Sequence, residues 1–449
     1  MVVGRPDFRR VWRLVQDLTV NQGCLVTSSE DGIVVSSPYG DEQGRRITGT
    51  SDSVLIEAWQ VVDGVETETP EVGCYPPGTL VRSPSRPDTW YLLPDEWRNA
   101  QRGASAKASP EVDDPILHVP SVLRQPDILT VGFPIDIVYT WVDGSDPDWK
   151  SRKARVESAR LGDADAIDHT GLAEYRFASH EELLYSLRSV ALYAEWANHV
   201  FIVTDRQIPQ WLDVTNPRVT VVDHREIFAD LAALPTFNSH AIESQLHHIP
   251  GLSEHYVYMN DDLFLGRPVA PSLFFESNGV EHMFPSDEAL VDFNELRSLN
   301  FPITAAAKNV RDVFRNEFGV TIMRKMKHTP HPQRRSVLFE MEERWPTQFA
   351  ATASQQFRAG DQISFASFMQ PWYAYLTGRA TVGEISYSYL KISSDTISER
   401  YFSLLRQRDR DAFCLNESDA HGAASAEKKE LMSWFLHTYF PSKSVFERE

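Results

Sequence analysis

The chain has 449 residues, of which 42% are hydrophobic and 24% are charged. This composition is ordinary for a soluble globular protein with room for two or three domains. Its 63 acidic and 44 basic side chains give a formal net charge of −19, which argues against a broad nucleic-acid surface, so a phosphate ligand must be met by a few local cations or a metal.

The cysteines and the chain's apolar runs indicate a compartment. Only Cys24, Cys74 and Cys414 are present, with no CxxC pair, so neither a disulfide framework nor a zinc site is expected and a reducing cytoplasm fits best. The charged N-terminal segment has no apolar signal region, and no run of about 18 apolar residues occurs. We therefore expect a cytoplasmic protein without a transmembrane segment. Peripheral association with the inner face of the membrane stays open.

Composition divides the chain into three regions. Residues 1–95 begin with an amphipathic helical pattern followed by short strand patterns, which predicts a small α+β or mostly β module without recognisable chemistry. Residues 96–130 are rich in Ala, Ser, Pro and charge, as in a linker. Residues 131–449 alternate strand and helix patterns, which predicts an α/β domain with a doubly wound, mostly parallel sheet.

Polar residues follow the predicted strands of this domain. The run 135–142 is followed by Asp143 and Gly144, the run 199–203 by Asp205, and the run 218–222 by Asp223. Between the first two runs, Ser179 and Glu182 form the pattern of a capping box for a helix that reaches Trp196. Ligands of such sheets bind outside the carboxyl ends of the strands, so this distribution predicts a site there.

The stretch from His255 to Arg267 is the centre of the prediction. A buried strand leads into Asn260, Asp261 and Asp262, whose adjacent carboxylates could bind a divalent cation. By itself an Asn-Asp-Asp sequence is more often a strand followed by an Asx turn. The other polar strand ends favour the metal site.

The segment 323–335, MRKMKHTPHPQRR, is the densest cluster of positive charge in this acidic chain. A solvated basic loop is the simpler interpretation, but phosphate binding needs such a cluster. His328 could accept the proton of an attacking hydroxyl, since the ordinary pKa of histidine lies near neutrality. No Walker-type loop, GxGxxG or GxSxG motif follows a predicted strand. Phosphoryl transfer and glycosyl transfer from an activated donor both remain open at this point.

Four ordered blocks between residues 134 and 418 resemble the Stealth family of hexose-1-phosphate transferases, which includes bacterial capsule enzymes and the catalytic subunit of lysosomal-enzyme N-acetylglucosamine-1-phosphotransferase. The blocks include IDIVYTWVDGSDPDW from Ile135, HYVYMNDDLFLG to Gly266, HTPHPQRRSV from His328, and FCLNES from Phe413. The resemblance implies a nucleotide-sugar transferase core, GT-A-like or Rossmann-like. It also implies transfer of a hexose-1-phosphate, with N-acetylhexosamine-1-phosphate as the expected group, from a UDP-sugar to a glycan hydroxyl, with release of UMP.

The resemblance also carries site residues onto this sequence. It implies a catalytic His328, a metal (Mg²⁺ or Mn²⁺) on Asp262 and Asp261, and cations for the phosphates. The donor pocket would hold Thr140, Trp141, Asp143, Gly144, Ser239 and Glu243, and the phosphate contacts would be Arg358, Arg188, Lys308 and, from the basic segment, Arg335. For Arg188 a structural pair between its helix and a carboxylate is an equal alternative.

The last block departs from the family pattern. It ends in Asn416-Glu417, whereas family members have Asn-Asp, and the extra methylene moves the carboxylate of this expected metal ligand. Two alternatives therefore stay beside the sugar-1-phosphate transferase: a metal-dependent glycosyltransferase that releases UDP, and a catalytically silent protein that binds a nucleotide sugar.

Overall fold

A computed structural model of the protein describes residues 128–160, 177, 179–290, 302–417 and 425–448, together with eight short strands between residues 25 and 120. The chain forms two compact units, Met1–Ile128 and Leu129–Glu449. The helical pattern at the start of the chain lies outside the described residues.

Antiparallel strands form the described part of the first unit. They are β1 (Leu25–Ser29), β2 (Gly32–Ser36), β3 (Val54–Glu57), β4 (Gln60–Val61), β5 (Leu80–Arg82), β6 (Trp90–Leu92), β7 (Trp97–Ala100) and β8 (Leu117–Pro120). They pair as β1-β2-β3, β4-β5-β6 and β7-β8. The last pair lies within residues 96–130, so the stretch predicted as a linker contains a β-ladder.

The second unit alternates strands and helices. Its strands are β9 (Ile135–Thr140), β10 (Val200–Thr204), β11 (Val219–Asp223), β12 (His255–Asn260), β13 (Leu263–Leu265), β14 (Glu281–Met283), β15 (Pro285–Ala289), β16 (Arg324–Met326), β17 (His331–Arg334), β18 (Ala380–Val382), β19 (Tyr387–Lys391) and β20 (Ala412–Asn416). Its longer helices are Pro147–Arg160, Glu182–Tyr193, Pro302–Phe318, Arg335–Arg344, Pro346–Ala353, Gln370–Leu376, Ile397–Gln407 and Ala426–Tyr439. Helices of four and five residues, His224–Ile227 and Ser239–Glu243, precede β12.

The main sheet has the order β11-β10-β9-β12-β17. Strands β9 to β12 are parallel, and β17 runs antiparallel to β12 at one edge. The chain therefore adds β10 and β11 on one side of β9 and then β12 on the other side, so the strand order reverses between β9 and β12. Doubly wound sheets bind their ligands at such a reversal point. The structure confirms the predicted α/β fold with a mostly parallel sheet.

Successive side chains of a strand point to opposite faces of the sheet, and in the central strand β9 the side chains on both faces are buried. Val138 of β9 packs in a core with Val310 and Phe314 of helix Pro302–Phe318. Ile137 and its neighbours on the other face pack in a core with Leu187 of helix Glu182–Tyr193. Two-sided burial explains why these strands are continuous apolar runs in the sequence.

A second sheet has the order β13-β20-β19, and only Asp261 and Asp262 separate its strand β13 from β12. Strand β13 pairs antiparallel with β20, which brings Leu263 opposite Cys414. The main sheet and this second sheet are therefore joined directly through the Asp261-Asp262 turn, and Leu415 closes the turn by donating its backbone N–H to the carbonyl of Asp262 at 3.0 Å.

Three segments around the main sheet have distinct local structures, and in one of them a prediction is wrong. Residues 239–248 form a short helix, Ser239–Glu243, followed by a 3₁₀ turn, Leu246–His248. The segment 280–284 contains strand β14, which pairs with β18 in a separate ladder. The predicted capping box does not form: the helix begins at Glu182, and Glu181 precedes it with a φ of 66° and no side-chain cap.

Candidate active site

The Asp261-Asp262 turn lies at the carboxyl edge of the main sheet. Asn260, the last residue of β12, pairs in register with Thr140 of β9, and Val203 of β10 pairs with Thr140 from the other side. Thr204 and Asp223 end the next two strands at the same level. The parallel register therefore gathers the polar strand ends along one edge, as the sequence predicted.

The carboxylate of Asp262 contacts three other side chains at this edge. Its Oδ1 lies 3.4 Å from Nε2 of His328, while Sγ of Cys414 and Nδ2 of Asn416 lie 3.3 and 3.5 Å from its Oδ2. Burial raises the pKa of Asp262, but the charge and hydrogen bond of His328 outweigh burial and hold that pKa below its usual range. For His328 burial acts in the opposite direction and lowers the pKa, but the Asp262 carboxylate outweighs burial and raises that pKa above its usual range. The two side chains form a partly buried hydrogen-bonded pair, in which Nε2–H of His328 donates to the Asp262 carboxylate.

Asp261 and Glu182 add negative charge beside this pair. Burial raises the pKa of Asp261 well above its usual range, and the carboxylates of Glu182 and Asp262 raise it further. Glu182 is buried, which raises its pKa too. The ligand atoms that lie within 4.8 Å of one another at this site belong to Asp262, His328 and Cys414, while Asp261 and Glu182 are close enough to act electrostatically on one another. Carboxylate and amide oxygens are the donors that Mg²⁺ and Mn²⁺ prefer, so the residue types around Asp262 fit a divalent cation.

Sequence reasoning missed Glu182, because it assigned this side chain to a capping box. In the structure the backbone N–H of His180 donates to Oε2 of Glu182 at 2.5 Å. The sequence signal for a role in the site is that Glu182 is an acidic residue in the first turn of a largely buried helix.

Glu417 lies in a separate pair. Its Oε1 is 2.8 Å from Nζ of Lys429 and its Oε2 is 3.2 Å from Nε2 of His180. Burial raises the pKa of Glu417, but His180 and Lys429 hold it below the usual range. Of the two expected ligands in this block, the structure joins Asn416 to Asp262 and pairs Glu417 with two cationic groups. His180 connects the two arrangements, because its ring contacts Glu417 and its backbone contacts Glu182.

A group of hydrogen-bonded polar side chains extends from Thr140 toward Arg358. The hydroxyl groups of Thr140 and Tyr258 are 3.0 Å apart, and the Tyr258 hydroxyl donates to Oε1 of Glu243 at 3.5 Å. Nη2 of Arg358 donates to Oγ of Ser239 at 2.5 Å. Burial raises the pKa of Glu243, and Arg358 opposes the rise. Four predicted pocket residues are thus brought together, and Tyr258 joins them.

The remaining residues after β9 form a tight turn. Trp141 donates its backbone N–H to Val203, and the Asp143 carboxylate accepts from the backbone N–H and the hydroxyl of Ser145, as in an Asx turn. Gly144 donates its N–H to the carbonyl of Phe177 at 2.8 Å, and a Cβ at Gly144 would lie 2.2 Å from that oxygen. The close approach of the backbone therefore requires glycine here.

Two predicted cations do not reach this edge. Arg188 forms a bidentate pair with Glu447 and donates to the carbonyl of Phe440. Arg335 follows β17, whose register sets Arg334 opposite His255 at the amino end of β12, and it donates to the carbonyls of His247 and Leu252.

Lys308, the third predicted phosphate contact, is 1% exposed within helix Pro302–Phe318. The basic segment is also largely paired: Arg324, Lys325 and Arg334 lie near Asp287, Glu288 and Glu254. Of the predicted cations, Arg358 acts on this pair: its charge opposes protonation of His328 and lowers the pKa of that side chain.

No helix among the described residues is long and apolar enough to cross a membrane. Curated relatives include an exopolysaccharide phosphotransferase of Streptomyces coelicolor, 46% identical over 71% of this chain and 53% of that protein. Another is the exopolysaccharide phosphotransferase CpsY of Mycobacterium tuberculosis, 39% identical over 72% of this chain and 60% of that protein. The chain thus spans little more than half the length of these relatives.

Among solved structures, mouse xyloside xylosyltransferase 1 is 10% identical, with a TM-score of 0.32 over 64% of this chain and 98% of that one. A similarity this low does not indicate a shared function. Models of all four Stealth conserved regions match the chain: region 1 at residues 133–160, region 2 at 176–283, region 3 at 327–375 and region 4 at 402–449. The matched regions contain the Asp261-Asp262 turn, His328, Arg358 and Asn416, so the residues that meet at the sheet edge come from the family's own blocks, and the chain belongs to the Stealth family.

Proposed function

We propose that the chain transfers a hexose-1-phosphate, with N-acetylhexosamine-1-phosphate as the first choice, from a UDP-sugar to a glycan hydroxyl during capsule or exopolysaccharide synthesis. The observation that carries the proposal is the pairing of His328 with Asp262 beside Asp261 and Glu182 at the reversal point of the sheet. The names of the relatives, exopolysaccharide phosphotransferases, support the same reaction class.

The reaction needs a group that removes a proton from the acceptor. Nε2 of His328 faces Asp262, so Nδ1 is the ring nitrogen that takes the proton from the attacking hydroxyl. Asp262 orients the imidazole and stabilises its protonated form, in the manner of a carboxylate behind a histidine base. The hydroxyl oxygen forms a bond to the β-phosphorus, the bond from that phosphorus to the bridging oxygen breaks, and UMP leaves.

The donor's negative charge must also be held. A divalent cation bound by Asp261, Asp262 and Glu182 would neutralise the pyrophosphate. Arg358, fixed through Ser239, supplies a fork of N–H donors suited to phosphate oxygens. Tyr258 and Glu243 are buried beside Thr140, and their hydrogen bonds hold the Thr140 hydroxyl in position for the donor.

The nucleotide product tests the proposal. A UDP-N-acetylhexosamine labelled in the β-phosphate should release unlabelled UMP and leave the label on the glycan acceptor in the presence of Mg²⁺. Release of labelled UDP would instead assign glycosyl transfer, and donor binding without any product across a panel of acceptors would assign a silent nucleotide-sugar-binding protein.

His328→Asn is the matched variant, because Asn preserves a polar side chain of similar size. It should retain the donor affinity measured by calorimetry and lower the transfer rate by roughly 10²- to 10⁴-fold, the usual contribution of a general base. An unchanged rate would remove His328 as the base.

A further inference from the structure

A second group of metal-ligating side chains lies away from the proposed active site. In the described part of the chain, two groups bring three such atoms within 4.8 Å of one another: Asp262, His328 and Cys414 form one, and His247, His248 and Glu342 form the other. The first belongs to the site above. The second group, called the His-His-Glu cluster below, has no role in the proposed reaction.

The geometry of the His-His-Glu cluster is that of a nearly assembled metal site. Nε2 of His247 and Nε2 of His248 each lie 2.9 Å from the same oxygen, Oε2 of Glu342. Ligand atoms around a tetrahedral Zn²⁺, bound at about 2.0–2.1 Å, are separated by roughly 3.3 Å. Each nitrogen would therefore have to move only a few tenths of an ångström from the carboxylate oxygen to admit an ion.

The surroundings hold the three side chains in place. Phe339 packs edge-on against both imidazoles, with ring centroids 4.7 Å from His247 and 5.2 Å from His248. Arg335 donates Nε to the carbonyl of His247 at 2.8 Å, and its helix is the one that carries Glu342. The turn with the histidines and the helix with the carboxylate are thus tied together independently of any ion.

Solvent reaches the His-His-Glu cluster from one side. His248 and Glu342 are about three-tenths exposed, whereas the His247 side chain is fully buried, so the cluster is open to solvent on one side.

We propose that His247, His248 and Glu342 bind a divalent transition metal, with Zn²⁺ the best fit, and that this ion fastens the 3₁₀ turn Leu246–His248 to helix Arg335–Arg344. Two imidazoles and a carboxylate favour Zn²⁺, Co²⁺ or Ni²⁺ over Mg²⁺. The absence of cysteine pairs argued against a zinc site in the sequence, but this ligand set uses no cysteine.

The position of the ion defines its role. The turn precedes β12 and the helix follows β17, and these strands are antiparallel neighbours with His255 opposite Arg334. Asp261 and His328 lie at the other end of the same strands, a full strand of six residues or about 20 Å away. The ion is therefore structural, and it stabilises the strand pair that carries two active-site side chains.

Zinc binding to the full-length protein tests the proposal. After treatment with EDTA and dialysis, the protein is incubated with ZnCl₂ in excess Mg²⁺, and bound zinc is measured by equilibrium dialysis. Glu342→Gln and His248→Ala should each lose one zinc equivalent, with affinity lowered about a hundredfold or more, because removal of an outer-shell partner alone already costs 10–100-fold. Co²⁺ should give the visible absorption of a tetrahedral site in the wild type and lose it in both variants.

Two controls separate this site from other zinc binding. Glu343→Gln removes the same charge from the neighbouring exposed position of the same helix and should keep the zinc equivalent. Asp262→Asn alters the other cluster and should also keep it. Zinc should raise the thermal midpoint of the wild type and of both controls by several degrees at a hundredfold excess over the dissociation constant, and should leave that of Glu342→Gln unchanged.

The proposal is overturned if Glu342→Gln and His248→Ala bind as many zinc ions as the wild type with equal affinity. It is also overturned if the wild type takes up no zinc beyond the level of Glu342→Gln. In either case the three side chains form a hydrogen-bonded trio in which two histidines share one carboxylate.

Discussion

Replacement of Arg188 with methionine separates a structural role of this cation from a catalytic one. The guanidinium donates Nε and Nη2 to the two carboxylate oxygens of Glu447 at 2.8 and 2.7 Å, and Nη1 to the carbonyl of Phe440 at 2.9 Å. The side chains of the pair are only 9% and 4% exposed. Methionine retains the aliphatic part of the side chain but leaves the Glu447 carboxylate buried without its cationic partner.

The expected cost follows from that burial. Removal of one partner from a buried ion pair costs about 3–5 kcal/mol. The unit Leu129–Glu449 unfolds with an entropy of roughly 0.7 kcal/mol per kelvin at about 2.1 cal/mol/K per residue, so the midpoint should fall by about 4–7 °C. Differential scanning calorimetry measures the shift, and the transfer rate is measured well below the midpoint, where it should stay within about twofold of the wild type.

The double variant Arg188→Met/Glu447→Gln is the control, since it removes both charges and should recover part of the lost stability. The effect should also depend on pH. Burial raises the pKa of Glu447, but Arg188 and Ser444 hold it below its usual range, so the pair stabilises the fold above the unfolded pKa of about 4.3 and loses its contribution as the pH falls through the lower folded value. An unchanged midpoint together with a hundredfold slower reaction would refute this reasoning and return Arg188 to the pyrophosphate.

Three further variants address the sheet edge. Asp261→Asn removes one of the converging negative charges, so calorimetry without divalent ions should show a midpoint raised by a degree or more, while UMP release falls at least a hundredfold; a lowered midpoint would contradict the carboxylate cluster. Arg358→Met should raise the KM for the donor roughly 10–100-fold through loss of a charged hydrogen bond, and an unchanged KM would exclude it from the phosphate. Gly144→Ala forces a Cβ against the carbonyl of Phe177, and a cost of about 1–3 kcal/mol should appear as a lower midpoint by circular dichroism; a wild-type midpoint would mean that the 177 backbone moves freely.

The sequence predicted the features that depend on local pattern. The runs before Asp143 and Asp205 are continuous and apolar because both faces of β9 and β10 are buried, and two-sided burial of this kind is typical of parallel strands. The run before Asp223 is the edge strand β11, where Thr220 is exposed. Once the strands are parallel and in register, their ends must meet at one edge. The position of Asp262 at a polar sheet edge therefore followed from the sequence alone.

Strand β17 was not predicted, because His331 to Arg334 contains Pro332 and lies in a basic segment. Proline lacks the N–H that a central strand needs, so the segment has the sequence pattern of a solvated basic loop. In the structure Pro332 lies opposite Val257 on the outermost strand, where one side of the backbone has no neighbouring strand. Edge position, which depends on the whole sheet, makes the proline acceptable.

The partners of Asp262 depend on contacts between distant parts of the chain. Cys414 and Asn416 meet Asp262 through the β13–β20 ladder, across more than 150 residues, and no local pattern encodes that pairing. Glu182 was not predicted for a related reason. Its sequence neighbours fit a helix cap, and its electrostatic effect on Asp261 depends on how its helix packs near the end of β12. Residue types at the site were therefore visible in the sequence, whereas their partners were not.

The ladder between β13 and β20 also orders events during synthesis. Leu415 and Asn416 bond to Asp262, and they leave the ribosome more than 150 residues after it does. A nascent chain that ends before residue 416 can form most of the parallel sheet and still hold its aspartates without their final partners. Because translation proceeds at about 5–20 residues per second, the acidic turn waits on the order of ten seconds for completion. The carboxylates thus emerge early, and the segment that completes their surroundings follows more than 150 residues later.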